Sequence, residues 1–457
     1  MGIGSMQVSA ERPSVPTGSR RRSRLLAVLV VLVAEAGLAL LAVRSPELAV
    51  GAALAGLGVL LAVHLPHPVL AVGLLSPFLT TRIGGSSADL SLTDAYTLVG
   101  LVAAVPFVTF RGNPDLRRLF LGFGAYLAVL SAAVLVNPSQ VAFVELGHRA
   151  LVYGSAILVG VAIVASGQLQ RALRLFVFAC AGVSLLAVVE CARSGFAPAY
   201  PLDLQKNAAG LLFAAGILVL LSGRRWLQLP RPTYFPMMLA CAGGLLAAQS
   251  RSAFLALVVV VGIRVVLDQR RRVIGTGTKV VIALLCLALA GMAWSSIREQ
   301  DLDAEDRQFG AVDTRVDAFD YAVDRWRDEP VFGIGLRYWT DPAEAAESGV
   351  AFVPVPHSLL VGELGESGVV GLLALAGLLG WTALVLQRRR DLLSQLGLDV
   401  FALRVVQGVV EIFWVAGPLT LGTLFVGIGL GEDPEGPEDG RRRAEPDPDD
   451  ADPAPTP

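Results

Sequence analysis

Apolar runs near the length of a membrane span, separated by short polar or basic breaks, recur along most of the chain. Set against the ~20 apolar residues that cross a bilayer, the candidate spans are 25–43, 47–63, 68–80, 92–110, 118–136, 149–166, 171–191, 207–222, 234–249, 252–267, 279–296, 358–386, 400–416 and 418–431. Several are short, notably 68–80 and 418–431. The last two form one apolar run broken at Gly417-Pro418, where proline removes a backbone donor and a tight hairpin is expected. The pattern predicts an all-α, polytopic integral membrane protein of about 12–14 transmembrane helices. Its order is a cytoplasmic tail over 1–24, helices over 25–296, one large extracytoplasmic loop over 297–357, helices over 358–431, and a tail over 432–457.

Charge gives the chain its orientation. With the N-terminus cytoplasmic, alternate loops are rich in arginine: Arg111, Arg117 and Arg118; Arg171 and Arg174; Arg224, Arg225 and Arg231; Arg270 to Arg272 with Lys279; Arg388 to Arg390. An even number of spans also puts Arg441 to Arg443 inside. Arg20, Arg21, Arg22 and Arg24 precede the first apolar run, as in a signal peptide, but no small-residue cleavage site stands out, so an uncleaved anchor is expected. The acidic, Pro-rich segment after Glu432 has too little apolar surface to fold, so a disordered tail able to recruit a cytoplasmic partner is expected.

Composition narrows the class further. Of 457 residues 54% are hydrophobic and 17% charged, where a soluble domain carries roughly a quarter charged. Cys180, Cys191, Cys241 and Cys286 all lie in apolar runs, as small core residues do, and give no disulfide or zinc pattern. His64 and His67 flank Pro66 without Cys or acid partners, and Gly275-Thr276-Gly277 lacks the strand and lysine of a phosphate loop. No metal, cofactor or nucleic-acid partner is expected.

The orientation places 297–356, the Gln249-Ser250-Arg251-Ser252 break and the 193–206 loop on one side, outside the cytoplasm. The large loop begins acidic. Val316, Phe319, Val323 and Trp326 then recur at helical spacing, with Asp313-Thr314 as a cap and Glu329-Pro330 as the stop, which predicts a short amphipathic helix on the membrane surface. Phe332-Gly333-Ile334-Gly335 reads as a turn. Pro354 and Pro356 force an extended approach to His357, which stands just where a hydrophobic helix begins.

These residues carry a resemblance. His357-Ser358 with Glu366, Gly368 and Gly371, Gln249-Ser250-Arg251-Ser252 at a span end, and Arg315 through Trp326 to Pro330-Val331-Phe332-Gly333-Ile334-Gly335 resemble three blocks of the O-antigen ligase and polymerase superfamily. The likeness is specific over about 249–371 and only topological elsewhere. Ser358 stands where the family usually has Asn, and Ser252 where it has Gly.

The resemblance implies a GT-C-like helical architecture in the cytoplasmic (inner) membrane and a metal-independent glycosyltransferase working on the extracytoplasmic face. It would move a glycan from a polyprenyl-diphosphate carrier to the hydroxyl of a glycan or lipid acceptor, as ligase or polymerase. His357 is then the candidate general base, since an imidazole titrates near neutrality. Arg251 and Arg315 are the candidates for the leaving diphosphate, which planar guanidinium groups bind bidentately. The helix beginning near Ser358 adds free N–H groups and a positive dipole end.

Each residue also has an ordinary reading. A histidine or arginine at a span end is commonly a boundary residue or an anchor. Arg315 has Asp313 and Asp317 beside it as ion-pair partners. Glu366 fits the orientation of a helix or of His357 better than proton transfer. Capping is the plain reading of Lys206-Asn207, with glycan or diphosphate contact the alternative. Ser358, Glu366 and Asn207 stay candidate substrate-binding residues. Gly368 and Gly371 suit close packing. Glu145, His148 and Arg149 read as a capping cluster. Glu35, Glu190 and Glu411 fall in or near apolar runs, where acids are functional candidates by default. A transporter or a flippase for a lipid-linked sugar is the rival class. It calls for polar residues at mid-membrane in repeated halves, whereas here they gather in one loop and at span ends.

Overall fold

The computed structural model describes residues 56–81, 91–269, 313–340 and 355–432. Residues 56–60 belong to a unit spanning Met1–Leu60, and everything below concerns a second unit, Leu61–Pro457. Its helices are α1 (Pro66–Ala71), α2 (Leu92–Ala104), α3 (Pro114–Val136), α4 (Gln140–Ala165), α5 (Leu169–Arg193), α6 (Lys206–Ser222), α7 (Arg224–Leu227), α8 (Arg231–Ala248), α9 (Arg251–Gln269), α10 (Asp313–Asp328), α11 (Leu359–Arg389), α12 (Leu392–Val409) and α13 (Ala416–Leu430). The protein is an all-α polytopic membrane protein. Among the described residues α3, α4, α5, α11 and α12 are long and apolar enough to cross a bilayer, and four shorter apolar helices accompany them.

Several expected boundaries move, each for a local reason. The apolar run 68–80 is not one helix. Pro66 opens α1, and after Val72 the chain tightens into a 3-10 segment, Gly73–Phe78, that contains Pro77. α4 begins nine residues before the expected 149, capped by the Ser139 hydroxyl on the Ala142 N–H, so Glu145, His148 and Arg149 lie inside a helix. α12 begins at Leu392, where the Asp391 carboxylate accepts from the Ser394 N–H. The break in the last apolar run falls at 410–415, before Gly417-Pro418. Pro418 instead stands in the first turn of α13, where no N–H is needed. The candidate spans 25–43 and 279–296, most of 47–63, the two tails and much of the large loop lie outside the described residues.

α6 is the axis of the packing. It is apolar all round and buried continuously from Ala208 to Leu220, as suits a helix surrounded by others. Its neighbours α5, α8, α9, α12 and α13 share one core with it, while α3, α4 and α11 build a second around Phe123, Tyr126 and Tyr153. α4 and α13 join the two cores by crossing at Gly160 and Gly427. A Cβ on either would run into the carbonyl of Leu424 or of Ile157, so only hydrogen lets the backbones meet.

The bundle has two chemically distinct ends. At one, Asn113 at the start of α3 donates to the Leu430 carbonyl (2.8 Å), Arg389 donates to the carbonyls of Leu430 (2.8 Å) and Gly431 (3.0 Å), and Trp381 donates to the Arg118 carbonyl (3.0 Å). The arginines of the 111–118 and 388–390 breaks belong to this end. At the other end lie the C-terminus of α3, the N-termini of α6, α9 and α11, and the 410–415 connection.

α10 forms where the helical spacing predicts it. It buries Ala318 and Ala322 and leaves Phe319 exposed, so the small residues face the protein and Phe319, on the expected apolar stripe, faces away.

Candidate active site

The turn Phe332–Gly335 and a break in α11 are built for one another. Gly368 has φ +65°, ψ −165°, a conformation that an L side chain does not tolerate, and a Cβ there would strike the Val331 carbonyl. The opening lets the turn pair with α11 as two short strands would. The Ile334 and Gly335 N–H groups donate to Gly365 O (3.0 Å) and Glu366 O (3.1 Å), while Val369 and Val370 donate to Pro330 O (3.0 Å) and Val331 O (3.3 Å). Gly333, at φ +67°, lies so close that its Cβ would come within 2.6 Å of the Glu366 carbonyl carbon. Asn137, at the end of α3, donates to the Gly333 carbonyl from the other side. Two of the three sequence blocks thus make one joint, which fixes where α11 starts and hence where His357 stands.

Below the joint sits a buried charge cluster. Arg149, whose side chain is fully buried, donates through Nε to Glu145 (2.9 Å), through Nη1 to Glu363 (2.9 Å) and to Tyr126 Oη (3.1 Å), and through Nη2 to Glu366. Its guanidinium carbon also lies 4.4 Å from the centre of the Trp414 ring. Trp414 Nε1 and the Ser367 hydroxyl donate to the two oxygens of Glu363 (3.0 and 2.7 Å). The second Glu366 oxygen accepts from the Arg337 N–H (2.9 Å). His148 lies 3.1 Å from Asp94 and 3.5 Å from Glu145, and Arg337 lies 3.6 Å from Glu145. Every polar group in this patch is tied to others, as buried charges require.

His357 belongs to a different array, assembled from the ends of three helices. Its Nδ1 is 3.6 Å from one oxygen of Glu411, longer than a hydrogen bond and within ion-pair reach. The other Glu411 oxygen accepts from the Asn207 Nδ2, and the Asn207 Oδ1 accepts from the Ser250 hydroxyl (3.0 Å). The amide orientation follows from its neighbours, because only the NH2 side can face a carboxylate. Asn207 is held at its main chain too, its carbonyl accepting from Gln407 (2.8 Å). The 410–415 segment that carries Glu411 is clamped by buried Arg404, which donates to the carbonyls of Ile412 (2.6 Å) and Phe413 and to Gln407 Oε1 (3.1 Å). Ser250 is fully buried and Glu411 nearly so, while the His357 side chain keeps 32% of its surface open.

The expected site residues distribute as follows. His357, Asn207 and Ser250 meet through Glu411. Arg251 is exposed at the first position of α9, directly after Ser250, and so stands at the same end of the bundle as His357. Ser358 is buried and precedes α11 in extended conformation, without a side-chain capping bond. Glu366 is held in the Arg149 cluster. Arg315 falls in the first turn of α10, and its side chain lies outside the described residues. Sequence reasoning assigned no partner to Glu411, read Glu145 and Arg149 as caps, and did not single out Glu363, Arg404 or Trp414. The signal was there in part. Arg404 and Glu411 interrupt an apolar run, and a charge in such a place calls for a partner.

A cavity of about 270 Å³ lies between the two arrays. Pro356 and Ser358 line it on either side of His357, Glu145, His148 and Arg337 supply charge, and Trp339, Phe413 and Trp414 supply aromatic wall.

Residues 236–376, from α8 through the first half of α11, match the family model of the O-antigen ligase domain. That match places the region in the O-antigen ligase and polymerase superfamily, and it supports a membrane function of the ligase or polymerase type. It includes the joint, Arg251 and His357, and stops short of Glu411. A search of curated proteins finds no match for the chain.

Proposed function

We propose that the protein transfers a glycan from a polyprenyl-diphosphate carrier to a hydroxyl acceptor at the outer face of the cytoplasmic membrane. The observation that carries this reading is the Ser250–Asn207–Glu411–His357 array, which holds a half-open imidazole between Pro356 and Ser358, two residues that line the cavity. With Nδ1 turned to the Glu411 carboxylate, Nε2 is the nitrogen left to take a proton. In one step the acceptor oxygen bonds to the anomeric carbon, the bond from that carbon to the diphosphate oxygen breaks, and the acceptor proton passes to His357 Nε2. The lipid diphosphate leaves with its charge held by Arg251, by Arg315 and by the N-terminus of α11. Direct displacement inverts the anomeric configuration. Arginines supply the charge neutralisation, so the scheme invokes no metal.

The outer face is favoured by the arginines of the 111–118 and 388–390 breaks, which collect at the end of the bundle away from His357. The test is His357→Ala in the native host, read by mass spectrometry of cell-envelope glycans. Transfer stops while the variant still reaches the membrane; unchanged glycans refute the assignment. Loss of a length ladder marks a polymerase, and accumulation of unattached lipid-linked polymer marks a ligase.

A further inference from the structure

We infer that the cavity between the two arrays is a subsite for one uncharged sugar ring, and that the carrier diphosphate binds outside it. The inference rests on the transferase reading for its place in a reaction, but its grounds are the walls of the cavity. At about 270 Å³ the space falls just under the ~300–1,000 Å³ of pockets for drug-sized ligands, so it holds a ring rather than a chain. The walls are of two kinds. Trp339, Phe413 and Trp414 offer aromatic surface suited to the C–H face of a pyranose, and Glu145, Glu363 and Glu366 offer oxygens suited to its hydroxyls.

The charge balance sets the selectivity. Among the described residues of the cluster, Asp94, Glu145, Glu363 and Glu366 face Arg149, Arg337 and His148, so each of these cations is already paired with a carboxylate. Arg149, the most deeply buried cation, is already shared among three carboxylates and a ring. A diphosphate entering here finds cations already committed to carboxylates, as does a uronic acid, whereas a neutral hexose or N-acetylhexosamine brings no charge to be balanced. Because Pro356 and Ser358 line the cavity, a ring seated in it lies next to His357.

The experiment uses the full chain in detergent micelles and saturation-transfer NMR, with methyl glucoside, methyl N-acetylglucosaminide and methyl glucuronide as probes. The neutral glycosides bind, the glucuronide binds at least tenfold more weakly, and Trp339→Ala, at a half-buried ring outside the charge cluster, weakens the neutral probes about tenfold without changing the melting temperature. Equal or tighter binding of the glucuronide, or unchanged binding by Trp339→Ala, overturns the inference. His357→Ala separates it from the proposed function. If transfer depends on His357 while Trp339→Ala leaves probe binding intact, the subsite falls and the transferase stands. If no transfer depends on His357 but the probes still bind through Trp339, the transferase falls and the subsite stands. A probe recovered as an extended product identifies the ring as the acceptor's; a probe that only inhibits transfer identifies it as the donor's.

Discussion

Both oxygens of the Glu411 carboxylate are engaged, one by the Asn207 amide and one by the imidazole, and its own segment is pinned by Arg404. In the proposed mechanism it therefore orients His357 and balances the charge of the imidazolium that forms when the acceptor gives up its proton. Glu411→Gln keeps the shape and one carbonyl oxygen but removes the charge. Turnover falls about 10²-fold, at the lower edge of what general-base catalysis contributes, while KM and membrane yield change little. A fall in KM-governed binding with turnover intact would assign Glu411 to substrate instead. At this scale the sequence was readable where residue types are rare in their setting. A histidine between prolines and a membrane helix, and an arginine in a break that charge patterning predicts to lie outside, are conspicuous without any fold. Glu411 was visible as an acid in an apolar run, but its partner is 54 positions away and only the packing of α12 against α11 brings them together.

At the scale of elements, the joint between the 330–335 turn and the break at Gly368 decides whether α11 begins in the right place. Gly368→Ala forces a Cβ into the Val331 carbonyl and a conformation open to glycine alone, with an expected loss of about 1–3 kcal/mol. Thermal unfolding of the solubilised protein measures it, and transfer falls with it because His357 loses its register. A variant as stable and active as the parent would show that α11 closes over Gly368 as a regular helix. Glycine spacing in the sequence suggested close packing, which is half of the answer. That the same glycine leaves helical geometry to admit another segment depends on a pairing across the large loop, and no local periodicity encodes it. The helix starts were misjudged for a related reason. Hydropathy marks where a helix enters lipid, whereas Ser139 and Asp391 mark where it begins, each accepting from an N–H of the first turn.

The whole molecule is polarised. A cysteine at Gly112 or Arg390, both exposed, should react with a membrane-impermeant maleimide only after the cells are opened, and one at exposed Ala197, on the loop that packs on Gln249, should react in intact cells. The reverse pattern would put His357 in the cytoplasm and remove a lipid-linked donor on the outer leaflet from the scheme. Alternating basic breaks made this polarity readable in the sequence, since it depends on loop composition and not on packing. The joint has a topological effect at the same scale. Its backbone bonds from Ile334 to Gly365 and from Val369 to Pro330 tie both ends of the intervening chain together, so His357 rides on a lariat whose knot lies at the foot of α11. A closed lariat tolerates a longer or shorter noose, since doubling such a span costs only ~0.6 kcal/mol of closure entropy. Insertions or deletions within the noose therefore leave the imidazole in place for as long as the knot holds.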